Sequence, residues 1–209
     1  MAGSRPLSDA EDAAIFANYT GCSATRDRCM HELCSKAGLR IAEACSLRVC
    51  DVVRNSEVVK QLYLHPKNAK GKKRGAYLEL HLDVRLAIWE QVKWLRENGY
   101  AWPDAFLLMS RTGTNKPLTR RGAHDRLLAA AARANVPVER IGTHTLRKTF
   151  ARRVEAWAIE SVRNGAILHP YEFLRVMLRH RCIKSTMQYT EEMSSYITEA
   201  IHSQPSRER

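Results

Sequence analysis

Cationic and proton-transferring side chains recur along the chain where helices are predicted to begin or end. Arg40 and Glu43 follow Gly38, and His144 and Arg147 are three residues apart. Because residues three apart share one face of a helix, His144 and Arg147 can point at one target. Two arginine forks suit the oxygens of a phosphate group, and a histidine can move protons there. The spacing therefore indicates a phosphate site.

A second group of residues completes what phosphoryl transfer needs. Lys70 lies in a very basic segment, and His180 is followed nine residues later by Tyr189. A lysine or histidine can donate a proton, and a tyrosine hydroxyl can act as a covalent nucleophile. Since no acidic cluster for Mg²⁺ accompanies them, charge stabilisation falls to the cations, and we expect neither a metal nor a cofactor. Taken singly, each residue also has an ordinary role in capping, solvation or packing.

The N-terminal part of the chain is predicted to form two helices that lead to Arg40. A capping box of Ser8 and Glu11 predicts a helix over 9–18. A second helix is expected from Ser23 to a residue before Gly38, because glycine is a frequent C-terminal stop.

The next segment is predicted to change from helix to strand. After a helical turn over 41–46, the β-branched and apolar run Val58–Leu64 and the run 77–80 indicate strands. The basic segment 66–74 lies between them. We therefore expect a hairpin with a positively charged tip.

The rest of the chain is predicted to be helical. Asp83 is expected to cap a helix that ends near Asn98, and Thr119 to cap the next. The remaining predicted helices cover 145–158, 170–178 and 184–202. The fold class is thus mainly α with a small antiparallel β-sheet.

These segments, in this order, resemble the catalytic domain of tyrosine recombinases, the phage integrase family. The matching segments are Leu7–Glu11, Ala37–Leu47, Ala69–Arg74, Thr143–Phe150, Met177–His180 and Ser185–Thr190, within a resemblance that spans about residues 7–195. The chain departs from the family at Arg179, where glycine is usual, and at Lys148, where histidine is frequent. The stretch from Arg147 to His180 is also some ten residues longer than usual.

The resemblance implies DNA cleavage and rejoining through a 3′-phosphotyrosyl link at Tyr189. The residues that would act on the scissile phosphate are Arg40, Lys70, His144, Arg147 and His180, with Glu43 in support. The residues expected to contact DNA are Lys67, Lys72, Lys73, Arg74, Arg120, Arg121, Lys148, Arg179 and Arg181. The family fold, a tyrosine recombinase catalytic domain, is expected over 8–202 between tails 1–7 and 203–209.

The resemblance also implies partners. Double-stranded DNA would be the substrate, and strand exchange would require a homo-tetramer on DNA, with accessory DNA-bending proteins as further candidates. The amphipathic segment 194–202 would either be donated to a neighbouring protomer or pack on its own domain. Only about seven residues precede the first helix, so the sequence fits both a single-domain recombinase and a catalytic fragment without the family's N-terminal DNA-binding domain.

Charge and composition restrict the remaining classes. The 209 residues carry 34 Lys and Arg against 22 Asp and Glu, a net charge of +12, which favours a polyanionic partner. No apolar run approaches a membrane span, and the start lacks a signal-peptide pattern, so we expect a cytoplasmic, nucleoid-associated protein without a membrane partner. The six cysteines are then expected as free thiols. Cys29 and Cys34 would point apart on a helix, by about 140°, which favours buried packing over zinc.

Two other functions remain open from the sequence. A type IB topoisomerase or a resolvase of hairpin telomeres would share the same set of side chains. A non-catalytic DNA-binding module would keep the residues without a productive site. A membrane-surface role is disfavoured, because the basic residues are spread along the chain rather than gathered on one amphipathic helix.

Overall fold

The computed structural model describes residues 4–68, 75–100, 103–111, 115–166, 169–180 and 186. The helices among these residues are α1 (Asp9–Ala17), α2 (Ala24–Ser35), α3 (Ile41–Cys45), α4 (Val49–Val52), α5 (Leu82–Glu97), α6 (Arg120–Arg133), α7 (Thr145–Arg163) and α8 (Pro170–Met177). The strands are β1 (Val53–Arg54), β2 (Glu57–Val58), β3 (Gln61–Leu64) and β4 (Ala76–Glu79). The chain divides into two compact units, one up to Phe150 and one from Ala151. The mainly helical fold class with small antiparallel sheets is confirmed.

Helix α1 begins as the sequence predicts. The Ser8 hydroxyl accepts the Glu11 N–H at 3.1 Å, and the Glu11 carboxylate accepts the Ser8 N–H at 2.8 Å. Arg5 adds two hydrogen bonds to the same carboxylate, of 2.8 and 2.7 Å. These donors lower the pKa of Glu11 to about 2, because they stabilise its ionised form. These local contacts set where α1 begins.

The predicted continuous strand over Val58–Leu64 is wrong. Strand β2 pairs with β1, whereas β3 pairs with β4, so the run belongs to two separate antiparallel ribbons. Asn55 and Ser56 join β1 to β2 with φ of 49° and 64°, the left-handed pair of a tight two-residue hairpin. The apolar run concealed this break because both of its halves pack inward.

Helix α5 packs its apolar face against α2, as predicted. Four residues at helical spacing are buried there, namely Val84, Ile88, Val92 and Leu95. The predicted cap at Asp83 is wrong: His81 Nδ1 accepts the Asp83 N–H at 3.2 Å and occupies the N-cap position. Asp83 instead forms an ion pair with Lys36 at the end of α2, which lowers the pKa of the aspartate.

Burial also decides the state of the cysteines. Cys29 and Cys34 are buried, which confirms the expected packing; Cys45 is buried as well, whereas Cys50 is exposed. Burial raises the pKa of the Cys45 thiol to about 12. Within the described residues, no group of three or more histidine, cysteine or acidic side chains is placed to hold a metal ion.

The second unit contains the end of α7 and all of α8. Helix α7 extends to Arg163, five residues beyond the predicted end at position 158. Trp157 and Phe173 pack with ring centroids 5.2 Å apart, and Leu174 is fully buried.

Among the described helices, none combines the length and the apolar character that a membrane crossing requires.

Candidate active site

The turn after α2 brings two distant sequence motifs into contact. Gly38 adopts a left-handed φ of 64°, and a Cβ there would lie 2.5 Å from two ring carbons of Phe150. The Arg147 guanidinium donates a hydrogen bond to the Gly38 carbonyl. Glycine is required here for both its backbone conformation and its lack of a side chain. The sequence marked Gly38 as a helix stop, but it did not predict Phe150 as the residue that fills the space.

Arg40 follows this turn and is held by Glu43. The buried Glu43 carboxylate accepts the Arg40 main-chain N–H at 3.0 Å and the Arg40 Nη1 at 2.8 Å. The Arg40 side chain keeps 32% of its surface exposed, whereas that of Glu43 keeps only 3%. An anchored arginine that is still accessible can bind the oxygens of a phosphate without first being ordered.

Arg147 and His144 lie at the start of α7. Thr145 Oγ1 accepts the Gly142 N–H at 3.0 Å, and the Lys148 N–H donates to the His144 carbonyl at 2.8 Å. Arg147 is 1% exposed and is the largest fully buried side chain among the described residues. Burial of a guanidinium needs strong partners, and its bond to the Gly38 carbonyl supplies one.

His144 is the residue of the first unit on which several positive charges act together. Although the residue is exposed to solvent, neighbouring protein atoms partly desolvate its ring and lower its pKa. The positive charges of Arg120, Arg147, Arg40 and Lys148 lower the pKa further. A histidine among cations is neutral at pH 7 and can accept a proton, while the same cations attract an anion.

Helix α6 carries one of these cations to the site. The Thr119 hydroxyl caps the helix by accepting the Gly122 N–H at 3.0 Å, which confirms the predicted cap. Arg120 Nη2 then donates to Thr143 Oγ1 at 3.2 Å, next to His144. Its neighbour Arg121 has 92% of its side chain exposed.

Two other residues expected to contact DNA lie in different settings. Lys148 is 8% exposed and adds its charge to the surroundings of His144. Lys67 is exposed in a short 3₁₀ turn, Pro66–Asn68. Their assignment as DNA contacts remains a prediction.

His180 belongs to the second unit, where hydrogen bonds to Thr186 and Arg175 hold its ring and its main chain. It is 6% exposed, and its Nδ1 lies 3.1 Å from the Thr186 hydroxyl. Its main-chain N–H donates to the Arg175 carbonyl at 3.0 Å, and its carbonyl accepts Arg175 Nη1 at 3.0 Å. Arg175 is in turn held by Glu172, through a 2.7 Å bond. Sequence reasoning missed Arg175, and it placed Thr186 in a matching segment without assigning it a role.

The remaining predicted site residues lie outside the described residues. They are Lys70, Lys72, Lys73, Arg74, Arg181 and the proposed nucleophile Tyr189, together with all of the predicted helix 184–202 except Thr186. The first unit thus brings together Arg40, Glu43, Arg120, His144, Arg147 and Lys148, while His180 and Arg179 belong to the second.

Comparison with known proteins identifies a related sequence and several similar folds. The sequence is 36% identical over 114 residues to the probable integrase/recombinase YoeC of Bacillus subtilis (strain 168). That match covers 54% of this chain and 54% of YoeC, so the chain spans about half the length of its curated relative.

Among solved structures, the XerA recombinase matches with a TM-score of 0.68 at 17% identity, over 98% of this chain and 66% of that one. The XerH recombinase bound to its palindromic difH substrate matches at 0.65 and 17% identity, over 95% and 52%. A lambda integrase dimer bound to a core site matches at 0.60 and 16% identity, over 100% and 52%. At such low sequence identities, the similarity to these three structures establishes the fold alone.

The family comparison covers nearly the whole chain. The model of the phage integrase family matches residues 7–195. This range contains both the His144 surroundings and the His180 turn. The chain therefore belongs to the phage integrase family and has the fold of a tyrosine recombinase catalytic domain.

Proposed function

We propose that this protein is a site-specific DNA recombinase that cuts and rejoins DNA through a covalent 3′-phosphotyrosyl intermediate at Tyr189. Membership of the phage integrase family supports the reaction class. The observation that carries the proposal is the positive field around His144, to which Arg40, Arg120, Arg147 and Lys148 contribute. Such a field suits the negative charge that builds on the phosphate oxygens in phosphoryl transfer.

The cleavage step assigns one role to each side chain. The Tyr189 oxygen attacks the scissile phosphorus, and the bond from phosphorus to the 5′ oxygen breaks. His144, neutral because its pKa is lowered, takes the tyrosine proton. Lys70 gives a proton to the departing 5′ oxygen, so the leaving group is a 5′-hydroxyl.

The other cations stabilise the transition state rather than move protons. Arg40 and Arg147 bind the non-bridging oxygens, and His180 donates a hydrogen bond to one of them. Glu43 keeps Arg40 in place. Because protein cations supply this stabilisation, the step is expected to need neither a metal ion nor ATP.

Rejoining reverses the same chemistry. The 5′-hydroxyl of a partner duplex attacks the phosphotyrosine, forms a new phosphodiester and releases Tyr189. The bond energy is conserved in the covalent link, so exchange replaces hydrolysis.

Exchange between duplexes implies an assembly. We expect double-stranded DNA as the substrate and a homo-tetramer on DNA, aided by accessory DNA-bending proteins. Residues 194–202 are a candidate for exchange between neighbouring protomers. The site of action is expected in the cytoplasm, at the nucleoid.

The decisive experiment captures covalent protein–DNA adducts under denaturing conditions and sequences the attached DNA. The host's DNA is used, with Tyr189→Phe as the test variant and Tyr77→Phe, at an exposed tyrosine outside the proposed site, as the control. Adducts at one or a few sites in the wild type and in the control, and none in Tyr189→Phe, would establish the nucleophile and identify the target.

Other outcomes would redirect or overturn the proposal. Adducts spread over all DNA would indicate a type IB topoisomerase, which plasmid relaxation without a special site would confirm. Salt-sensitive DNA binding without adducts would leave a non-catalytic module, if addition of an N-terminal DNA-binding domain failed to restore cleavage. Equal adduct yields from Tyr189→Phe and the wild type would contradict the nucleophile.

A further inference from the structure

A pocket lies at the N-terminal end of helix α2, within the first unit. Its volume is about 210 Å³. Helix α2 runs from Ala24 to Ser35, and Arg40 follows its other end. Because twelve helical residues span about 18 Å, the pocket and the Arg40 turn lie at opposite ends of the helix. The pocket is therefore separate from the candidate active site.

Two aromatic rings form the apolar wall of this pocket. Trp94 and Tyr100 lie nearly parallel, with an interplanar angle of 17° and ring centroids 6.5 Å apart. Both residues are half-buried, and they line the pocket together with Met109. The main chain of Met109 is held in place, because its carbonyl accepts Arg26 Nη1 at 2.9 Å. A flat and partly exposed aromatic surface of this kind suits a planar apolar ring.

The start of α2 supplies the polar side of the pocket. Ser23 occupies the N-cap position, but its hydroxyl makes no hydrogen bond to the helix and has no partner among the described residues. The residue is only 5% exposed and lines the pocket. A buried hydroxyl without a partner is costly, and the first N–H groups of a helix have no partner within the helix. This side of the pocket can therefore donate hydrogen bonds to an acceptor.

The charges at the pocket favour an anionic acceptor. Arg26 lines the pocket, but its Nε and Nη2 donate to Asp27 Oδ1 at 2.9 and 2.7 Å, so a carboxylate already neutralises it. Arg111 also lines the pocket and is exposed. Its guanidinium and the positive end of the α2 dipole both attract negative charge.

We propose that this pocket binds a small aromatic anion, either a carboxylate or a phosphate monoester. The ring of the ligand packs on Trp94 and Tyr100. Its anionic group accepts hydrogen bonds from the Ser23 hydroxyl, from the first N–H groups of α2 and from Arg111. The volume is smaller than the about 300–1,000 Å³ of pockets for drug-sized ligands, so the ligand has one or two rings.

An exposed thiol at the pocket gives a direct measure of binding. Cys22 lines the pocket, whereas Cys50 is exposed outside it and serves as the internal reference. The alkylation of both thiols by iodoacetamide is followed in the full-length protein by mass spectrometry of its peptides. The compounds tested are indole-3-carboxylate, phenyl phosphate, the neutral indole-3-carboxamide and inorganic phosphate.

We expect at least one of the two aromatic anions to protect Cys22 and to leave the alkylation rate of Cys50 unchanged. At about four times its Kd the ligand should slow the alkylation of Cys22 about fivefold, because only the free site reacts. Half-maximal protection is expected at about 0.1–1 mM, the range for a ligand of about ten non-hydrogen atoms. The carboxamide and inorganic phosphate should bind about tenfold more weakly. The ratio between the two aromatic anions then distinguishes a carboxylate ligand from a phosphate ligand.

Two variants test the polar side of the pocket, and a third is the matched control. Ser23→Ala and Arg111→Gln should each weaken the protection about five- to tenfold, because each removes one hydrogen bond to the anion. Arg96→Gln, on the exposed surface of α5, should leave the protection unchanged. The Tm of Ser23→Ala should stay within about 1 °C of the wild type, since this hydroxyl caps nothing. A loss of protection would then not be a loss of folding.

Four results would overturn the proposal. Protection of Cys22 by none of the compounds, or equal slowing at Cys50, would show that the pocket does not bind them. Inorganic phosphate as effective as the aromatic anions would show that the rings contribute nothing. A carboxamide as effective as the carboxylate would remove the requirement for negative charge. Full protection in both Ser23→Ala and Arg111→Gln would place the ligand elsewhere.

Discussion

The turns that end α7 and α8 have the same hydrogen bonds but differ in the residue at the left-handed position. Gly165 is followed by Ala166, whereas Arg179 is followed by His180, one of the predicted site residues. At a third left-handed position, Gly38, the added Cβ would meet Phe150, whereas at Gly165 it would meet nothing within 4 Å. Backbone geometry, packing and side-chain chemistry thus limit these three positions separately.

The largest expected effect is at Gly38, where conformation and packing coincide. Gly38→Ala should lower the free energy of unfolding by about 3 kcal/mol, because left-handed strain and overpacking against Phe150 add. Chemical denaturation measures it. The control introduces Gly38→Ala into a protein that already carries Phe150→Leu. If Gly38→Ala lowered the free energy of unfolding by the same amount in that protein, a clash with the Phe150 ring would not explain the loss.

A smaller loss is expected where Glu43 holds Arg40 after the same turn. Glu43→Ala should destabilise the protein by about 2 kcal/mol, because the Arg40 N–H and guanidinium both lose a buried acceptor. Urea unfolding of this variant is compared with that of Glu57→Ala, an exposed site. Equal stability of the two variants would show that Glu43 does not brace the turn.

Gly165 tests the backbone contribution without packing. Gly165→Ala should cost only about 1 kcal/mol, since a Cβ there is strained but meets no atom. The measurement is the shift in the denaturation midpoint at constant slope. A cost as large as that of Gly38→Ala would break the distinction between the two glycines.

The smallest expected effect concerns the charge on His144. Its pKa is lowered from 6.5 in the folded state, so below pH 6.5 the unfolded chain binds a proton that the folded chain does not. The stability of the wild type relative to His144→Gln should therefore fall as the pH drops from about 7.5 to below 6.5, and stay constant above. Parallel curves for the two proteins across this range would contradict the lowered pKa of His144.

Local signals predicted much of the fold. The capping box of Ser8 and Glu11, the hydroxyl cap of Thr119 and the apolar face of α5 all lie where the sequence indicates. Local patterns failed where two partners competed for one segment. The Val58–Leu64 run splits between two ribbons, and His81 rather than Asp83 occupies the cap position, while Lys36 binds the Asp83 carboxylate.

Residue types and their order by themselves determined the family and the candidate side chains, because spacing along a helix and motif order are written in the chain. The tertiary structure alone decided which groups act on one another. Arg147 reaches the Gly38 carbonyl across 109 positions, and four cations converge on the surroundings of His144. Such contacts depend on how helices pack, and with the same cations placed elsewhere on the surface only burial would lower the pKa of His144.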